Sequence, residues 1–354
     1  MSEKVLMKGN EAMAAAAINA GCHHFFGYPI TPQTELAAYM AKTMPKIGGV
    51  YLQAESEIAA INMVLGAAGS GVRAMTSSSS PGISLKSEGV SYIAGSDVPC
   101  VIINVQRGGP GLGGIQPSQS DYWQATKALG HGDYQLLVFA PSTVQEMVDL
   151  IGLAFDKADE YRMPAMILAD GMLGQMMEPV ELPDNSDKKL PEKPWAACGH
   201  ENRRPHNIIN SLYLQASELE KLVDERFERY EKIKQTEQRA VEYYTEDAEL
   251  TLVAFGASAR VALAAVKQAR EKGQKVGLIK PITLWPFPEK VLKKVAKTTD
   301  KFLVVEMNKG QMIDDVKLAI DCSREVHFFG RTGGVIPQPE EISAQIDRIL
   351  GGAE

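Results

Sequence analysis

Three short stretches carry residues of the right type and spacing to hold a ligand. The first is Phe25-Phe26-Gly27-Tyr28-Pro29-Ile30-Thr31-Pro32-Gln33-Thr34-Glu35. Pro29 and Pro32 fix φ, lack an N–H and push the preceding residue away from helix, so the backbone around Ile30-Thr31 is held extended. Thr31 is then displayed just past the apolar run His24–Tyr28, which predicts a buried strand. A helix is expected at once, with Thr31 as N-cap and Pro32 at its first position. The second stretch centres on Glu57, an acid in the first turn of an otherwise apolar helix, Ser56–Ala68, that Gly69 can close. An acid there can be desolvated and so donate or share a proton; the alternative is a surface glutamate complementing the helix dipole. The third is Arg107, which ends an apolar run and opens Gly108-Gly109-Pro110-Gly111-Leu112-Gly113-Gly114. A guanidinium there can hold a carboxylate or phosphate in bidentate fashion; the alternative is a pairing with Asp121 or a backbone carbonyl.

Other candidates are weaker. Ser77–Ser80 offer hydroxyls before Pro81-Gly82, a sequence that also makes plain turns. His23, His24 and His131 lack metal-ligand spacing, and Asp170-Gly171 reads as a turn. The Arg107 loop contains no G-K-[ST] and does not follow the G-x-G-x-x-G pattern. Glu306-Met307-Asn308-Lys309-Gly310 follows a strand and is placed to meet a ligand or a neighbouring subunit.

The elements that must position these residues follow an α/β rhythm. Helix Gly9–Ala20, with Asn10 as its cap, precedes the His24–Tyr28 strand, and a helix over about 33–43 follows it. Val50–Gln53, Arg73–Ser77, Val98–Val105, Gln135–Phe139 and Ala165–Leu168 read as strands. Helices are predicted near 56–68, 83–94 and 143–161. Each glycine or hydroxyl cluster therefore falls at the carboxyl end of a strand, the ligand edge of a parallel sheet. Beyond Pro179 the texture changes. Residues 181–207 are rich in proline and charge and read as an arm. Leu219, Leu222, Val223, Phe227, Tyr230, Ile233, Ala240, Val241 and Tyr244 then recur at helical spacing. They predict one amphipathic helix over about 217–244, roughly 40 Å long. A second α/β unit starts at Glu249. It has strands at Leu250–Phe255, Lys275–Ile279, Phe302–Glu306 and Val326–Phe329, and helices near 259–272 and after Pro288.

The totals narrow the function. At 354 residues, 45% hydrophobic and 23% charged, with a net charge of −7, the chain has the composition of a globular protein of about two domains. The acidic balance argues against nucleic-acid or anionic-membrane binding. Neither a membrane-length apolar run nor a signal peptide is present, so a cytoplasmic location is expected. Cys22, Cys100, Cys198 and Cys322 are widely separated, which excludes a self-contained iron–sulfur or zinc site. Cys22 and Cys100 are expected in the core.

The ordered motif set Gly9-Asn10-Glu11-Ala12, Gly27–Pro32, Glu55-Ser56-Glu57, Ser80–Leu85, Gln106–Gly111, Gln119–Tyr122 and His131–Tyr134, continued by Pro281–Pro288 and Val305–Met312, resembles the alpha subunit of the 2-oxoacid:ferredoxin oxidoreductases. The match runs along nearly the whole chain. It is nearest to the 2-oxoisovalerate (branched-chain) type, with the 2-oxoglutarate type sharing most motifs. The resemblance implies an α/β fold of two domains: a thiamine-diphosphate-binding, pyrimidine-type parallel-sheet domain over 1–180 and a transketolase C-terminal-like α/β domain over 249–354. Residues 181–248 would form the linker and long helix between them.

The implied reaction is oxidative decarboxylation of a 2-oxoacid to an acyl-CoA, with electrons passed to ferredoxin. Glu57 matches the family's glutamate that hydrogen-bonds the aminopyrimidine ring and favours the tautomer that deprotonates the thiazolium carbon. Pro29, Ile30, Ser80 and Gly82 are the further cofactor-binding candidates. Thr31 and Arg107 match positions that contact the substrate, with Ser120 beside them. The family's Gly-Asp-Gly diphosphate motif and its cluster cysteines are missing, and no metal-binding residues are assigned to this chain. A beta subunit would therefore supply the diphosphate and Mg²⁺ end, and a small ferredoxin-like subunit the iron–sulfur clusters, alongside a gamma subunit. Coenzyme A, ferredoxin and the 2-oxoacid are the other expected partners. Two rival readings are the transketolase or 2-oxoacid dehydrogenase beta type, which shares the two-domain layout, and a non-catalytic scaffold.

Overall fold

The computed structural model describes residues 4–183 and 189–351; residues 184–188 of the expected arm and both extreme termini lie outside the described residues. The chain builds two main sheets. The larger has seven strands in the spatial order Thr283–Trp285, Leu137–Phe139, Ala165–Asp170, Val101–Gln106, Ala74–Ser78, His24–Gly27 and Val50–Gln53. Its strands are parallel except Thr283–Trp285, which joins the edge antiparallel. The middle strands are buried along their whole length, and so read as continuous apolar runs rather than alternating ones. Gly9–Asn19 packs on Val144–Tyr161, and Glu57–Gly69 packs on Ser80–Gly95. Cys22 and Cys100 lie in the core, as expected.

The second sheet runs Glu325–Gly330, Lys301–Glu306, Leu250–Val253, Val276–Pro281 and Ala240–Tyr243, with the last strand antiparallel. A two-stranded ribbon, Val5–Lys8 on Met177–Val180, stands apart from both.

The structure corrects several expectations. The long helix spans Ala216–Thr236, not 217–244, and is therefore about 30 Å long. It ends where Glu237 is drawn onto Tyr161, Lys157 and Arg239. Ala240–Tyr243 then pairs with Leu278–Pro281, so its apolar residues serve an edge strand. Thr283–Trp285 crosses back to the larger sheet from within a proline-rich run too short to show a period. Thr31 is not an N-cap. Its peptide to Pro32 is cis, the turn closes from Gln33 N–H to Ile30 O, and the helix begins at Thr34. Asn10 is not a cap either, because the first helix starts at Gly9 and Asn10 lies buried inside it. Asp170-Gly171 is more than a turn: Asp170 accepts from the N–H groups of Met172 and Leu173 and caps the helix Gly171–Gln175. The helix expected from Ile83 starts at Ser80, with Pro81 in its first turn. Two further helices, Met312–Ala319 and Pro339–Gly351, complete the second unit.

Candidate active site

The double-proline turn is held from three sides. Asn10 Nδ2 donates to Pro32 O (2.8 Å) and to Glu35 Oε2 (2.9 Å). Gln33, fully buried, donates to Tyr28 O and accepts from Ser77 Oγ at 2.6 Å. Arg107 Nη1 donates to Thr31 O at 3.0 Å. The turn is thus rigid by its hydrogen bonds as well as by its prolines, and the exposed Thr31 side chain sits at its tip. Pro29 is exposed and Ile30 half-buried on the same segment.

Glu57 lies one residue inside its helix, whose N-cap Ser56 accepts from Ala59 N–H. The residue is 6% exposed, and no donor among the described residues reaches its carboxylate. The wall beside it is Gly82. A Cβ at that position would stand 2.6 Å from Glu57 Oε1 and closer still to Ser78 Oγ. The carboxylate therefore lies against bare backbone in the first turn of the helix Ser80–Gly95, at the end where the helix dipole favours negative charge. The hydroxyls of Thr76, Ser78 and Ser79 nearby are buried and unpartnered. A buried acceptor without a donor, beside orphaned hydroxyls and a glycine wall, leaves hydrogen-bonding capacity open for a ligand.

Arg107 and Ser80 tie these two parts together. Besides Thr31 O, Arg107 reaches Leu112 O through Nη2 (3.2 Å), while its buried Nε has no partner. Backbone carbonyls thus take two of its five N–H groups and leave three. Ser80 Oγ accepts from Arg107 N–H (3.0 Å) and donates to Asp121 Oδ2 (2.6 Å), which Asn104 also contacts at 2.9 Å. Burial pushes the Asp121 carboxyl above the ordinary carboxylate range, against the pull of those two hydrogen bonds. Ser80 is therefore a strut between helix and loop.

Ser120 stands apart from Thr31 and Glu57. It lines a cleft of about 840 Å³ between the glycine loop and the second unit, together with Ser80, Gly108, Asn308, Lys309 and Thr332. Gln119 closes the back of this cleft. Its side chain donates to Phe255 O (2.8 Å) and accepts from Ser258 Oγ (2.7 Å) and Met307 N–H (3.0 Å); its carbonyl accepts from Asn308 Nδ2. The Glu306–Gly310 run is accordingly a latch. Buried Glu306 accepts from the N–H groups of Gln311, Met312 and Ile313 and from Asn308, which fixes the loop that meets Gln119. Sequence reasoning missed Asn10, Gln119 and Lys86. Each is a long polar side chain whose role depends on a partner far along the chain.

A family model described as "Pyruvate flavodoxin/ferredoxin oxidoreductase, thiamine diP-bdg" matches residues 15–263, and "Pyruvate:ferredoxin oxidoreductase core domain II" matches 248–342. The chain is 47% identical to the ketoisovalerate oxidoreductase subunit VorB of Methanothermobacter marburgensis, over 98% of each. It is 40% identical to the 2-oxoglutarate synthase subunit KorA of Methanothermobacter thermautotrophicus, over 97% of this chain and 98% of the relative. Among solved structures it is similar to the 2-oxoglutarate:ferredoxin oxidoreductase from Magnetococcus marinus with 2-oxoglutarate, coenzyme A and succinyl-CoA bound. That likeness has a TM-score of 0.88 and 27% identity, and covers 98% of this chain and 65% of the other.

Proposed function

The chain belongs to the pyruvate flavodoxin/ferredoxin oxidoreductase family, and on that premise we propose that it is the subunit of a 2-oxoisovalerate:ferredoxin oxidoreductase that holds the pyrimidine end of thiamine diphosphate. The observation that carries the reading is Glu57: a buried carboxylate without a donor, set against the bare backbone of Gly82. Thiamine diphosphate, when bound, supplies the nucleophilic carbon and the electron sink that decarboxylation of a 2-oxoacid needs. Glu57 would hold the pyrimidine ring through a hydrogen bond, and Gly82 would leave room for it. Pro29, Ile30 and Ser80 would shape the surrounding wall. Arg107, with three N–H groups to spare, would hold the substrate carboxylate, and Thr31 its keto oxygen. Ser120 would serve from the cleft.

Residues 1–180 are assigned to pyrimidine binding and 249–354 to the second domain. A beta subunit would bring the diphosphate and Mg²⁺ end, a ferredoxin-like subunit the iron–sulfur clusters, and a gamma subunit would complete the complex, with coenzyme A as acyl acceptor and ferredoxin as electron acceptor. The rim around the site supports coverage by a partner, since Ile58, Leu85, Leu112 and Ile115 are all half exposed or more. No helix among the described residues is long and apolar enough to cross a membrane, in keeping with a cytoplasmic complex.

The branched-chain substrate rests on the near-full-length likeness to a ketoisovalerate oxidoreductase subunit; the 40% likeness to a 2-oxoglutarate synthase subunit favours the second reading. The test is coenzyme A-dependent viologen reduction by the reconstituted complex with 2-oxoisovalerate, 2-oxoglutarate and pyruvate. The highest kcat/KM is expected with 2-oxoisovalerate. A preference for 2-oxoglutarate would transfer the assignment, and NAD reduction with a lipoyl partner instead would overturn it.

A further inference from the structure

On the helix Ser80–Gly95, residues 82, 86 and 89 share one face. Gly82 faces Glu57 and Gly89 faces Ile61, where a Cβ would collide with the isoleucine side chain. The two glycines let the helices Glu57–Gly69 and Ser80–Gly95 approach closely, and Lys86 lies in the seam between them. It is fully buried, and its Nζ stands 3.4 Å from the backbone carbonyl of Glu57. We propose that Lys86 is a positioning residue, the buried counter-charge that holds the Glu57 carboxylate ready for the pyrimidine ring of thiamine diphosphate. The inference rests on the reading of Glu57 given above.

Two observations support it. A lysine is costly to bury, and one long hydrogen bond to a carbonyl does not offset that cost. Burial pushes the Lys86 ammonium down to about 8, and Glu57 is the one charged group that acts on it in the opposite direction. Below its ordinary value and above about 8, the unfolded chain binds more protons than the folded one, so stability rises with pH across that window and the charged form is a burden at neutral pH. A purely structural lysine would not carry this burden beside Glu57, the one buried carboxylate among the described residues that lacks a donor.

The experiment uses the assembled complex stripped of cofactor, with thiamine diphosphate plus Mg²⁺ titrated from pH 5.5 to 8.5 and the thermal midpoint recorded in parallel. Lys86→Met keeps the volume and removes the charge. It is expected to keep or raise the midpoint, to weaken thiamine diphosphate affinity about tenfold, and to move the acid-side loss of affinity up by about one pH unit. Lys86→Leu gives the same readouts if the methionine variant does not assemble, and Lys86→Arg is expected to restore affinity. Wild-type affinity and an unmoved acid edge in Lys86→Met, while Glu57→Ala loses the cofactor, would overturn the role of Lys86 and leave Glu57 standing. Wild-type affinity in Glu57→Ala would overturn both.

Discussion

Arg107 Nη1 donates to the carbonyl of Thr31 at 3.0 Å, so the guanidinium at the end of one strand fixes the proline turn at the end of another. Two strands intervene in the chain between them, yet both residues come to the carboxyl edge of the same sheet. The geometry makes Arg107 both a support and a source of free N–H donors.

Replacing that fork with a point charge separates the two roles. Lysine cannot reach Thr31 O and Leu112 O together and still present planar donors. Arg107→Lys is expected to lower kcat/KM for the 2-oxoacid about 10- to 100-fold, equivalent to about 1.5–3 kcal/mol for a charged hydrogen-bonding group. Steady-state kinetics of the complex, with thiamine diphosphate saturating, check this.

Gly82→Ala tests the wall beside Glu57. The added methyl would meet Ser78 Oγ and Glu57 Oε1, and the carboxylate must turn away or the helix must shift. Overpacking of this kind costs about 1–3 kcal/mol. A lower thermal midpoint and weaker thiamine diphosphate binding are expected, the latter measured calorimetrically on the assembled complex.

Gln119→Ala tests the latch between the two units. Truncation strands Met307 N–H and Ser258 Oγ in a buried position, while Phe255 O keeps only its bond from Ala259 N–H. A loss of about 2–4 kcal/mol in unfolding free energy is expected by urea titration, since stranded buried groups carry their full desolvation penalty.

Much of this arrangement is legible from the residues alone. The apolar runs, the clusters at strand ends and the prolines around Thr31 all report local chemistry, and the observed strands follow them. The glutamate helix, expected over Ser56–Ala68, spans Glu57–Gly69 with Ser56 as its cap. What escapes is whatever depends on a distant partner. Ala240–Tyr243 has the residues of either a helix end or an edge strand, and only pairing with Leu278–Pro281 decides. Thr283–Trp285 is three residues long and shows no period. Asn10 reads as a cap by type, but its amide is taken by Pro32 and Glu35. Lys86 looks like the polar side of a helix until Gly82 and Gly89 are seen to bring a second helix against it.

Asp170 sets a pH dependence. It is fully buried beside the second unit, and burial pushes its carboxyl up to about 6, against hydrogen bonds from the backbones of Leu173, Met172 and Ala257. With an ordinary value of 3.8 in the unfolded chain, the folded state binds the extra proton between about 4 and 6. Stability from this group therefore falls as pH rises through that window, by about 3 kcal/mol. Asp170→Asn keeps an oxygen for Met172 and Leu173 N–H. Its stability relative to wild type is expected to improve by about 2 kcal/mol between pH 4.5 and pH 7 in urea unfolding.

The most direct measurement is 2-oxoacid-dependent viologen reduction by the reconstituted complex carrying Glu57→Ala. If this chain supplies the pyrimidine end of the thiamine site, turnover should fall by a factor of about 100 or more, with thiamine diphosphate affinity reduced and the complex still assembled. Full turnover with unchanged cofactor affinity would contradict a catalytic role for this chain and leave it a scaffold.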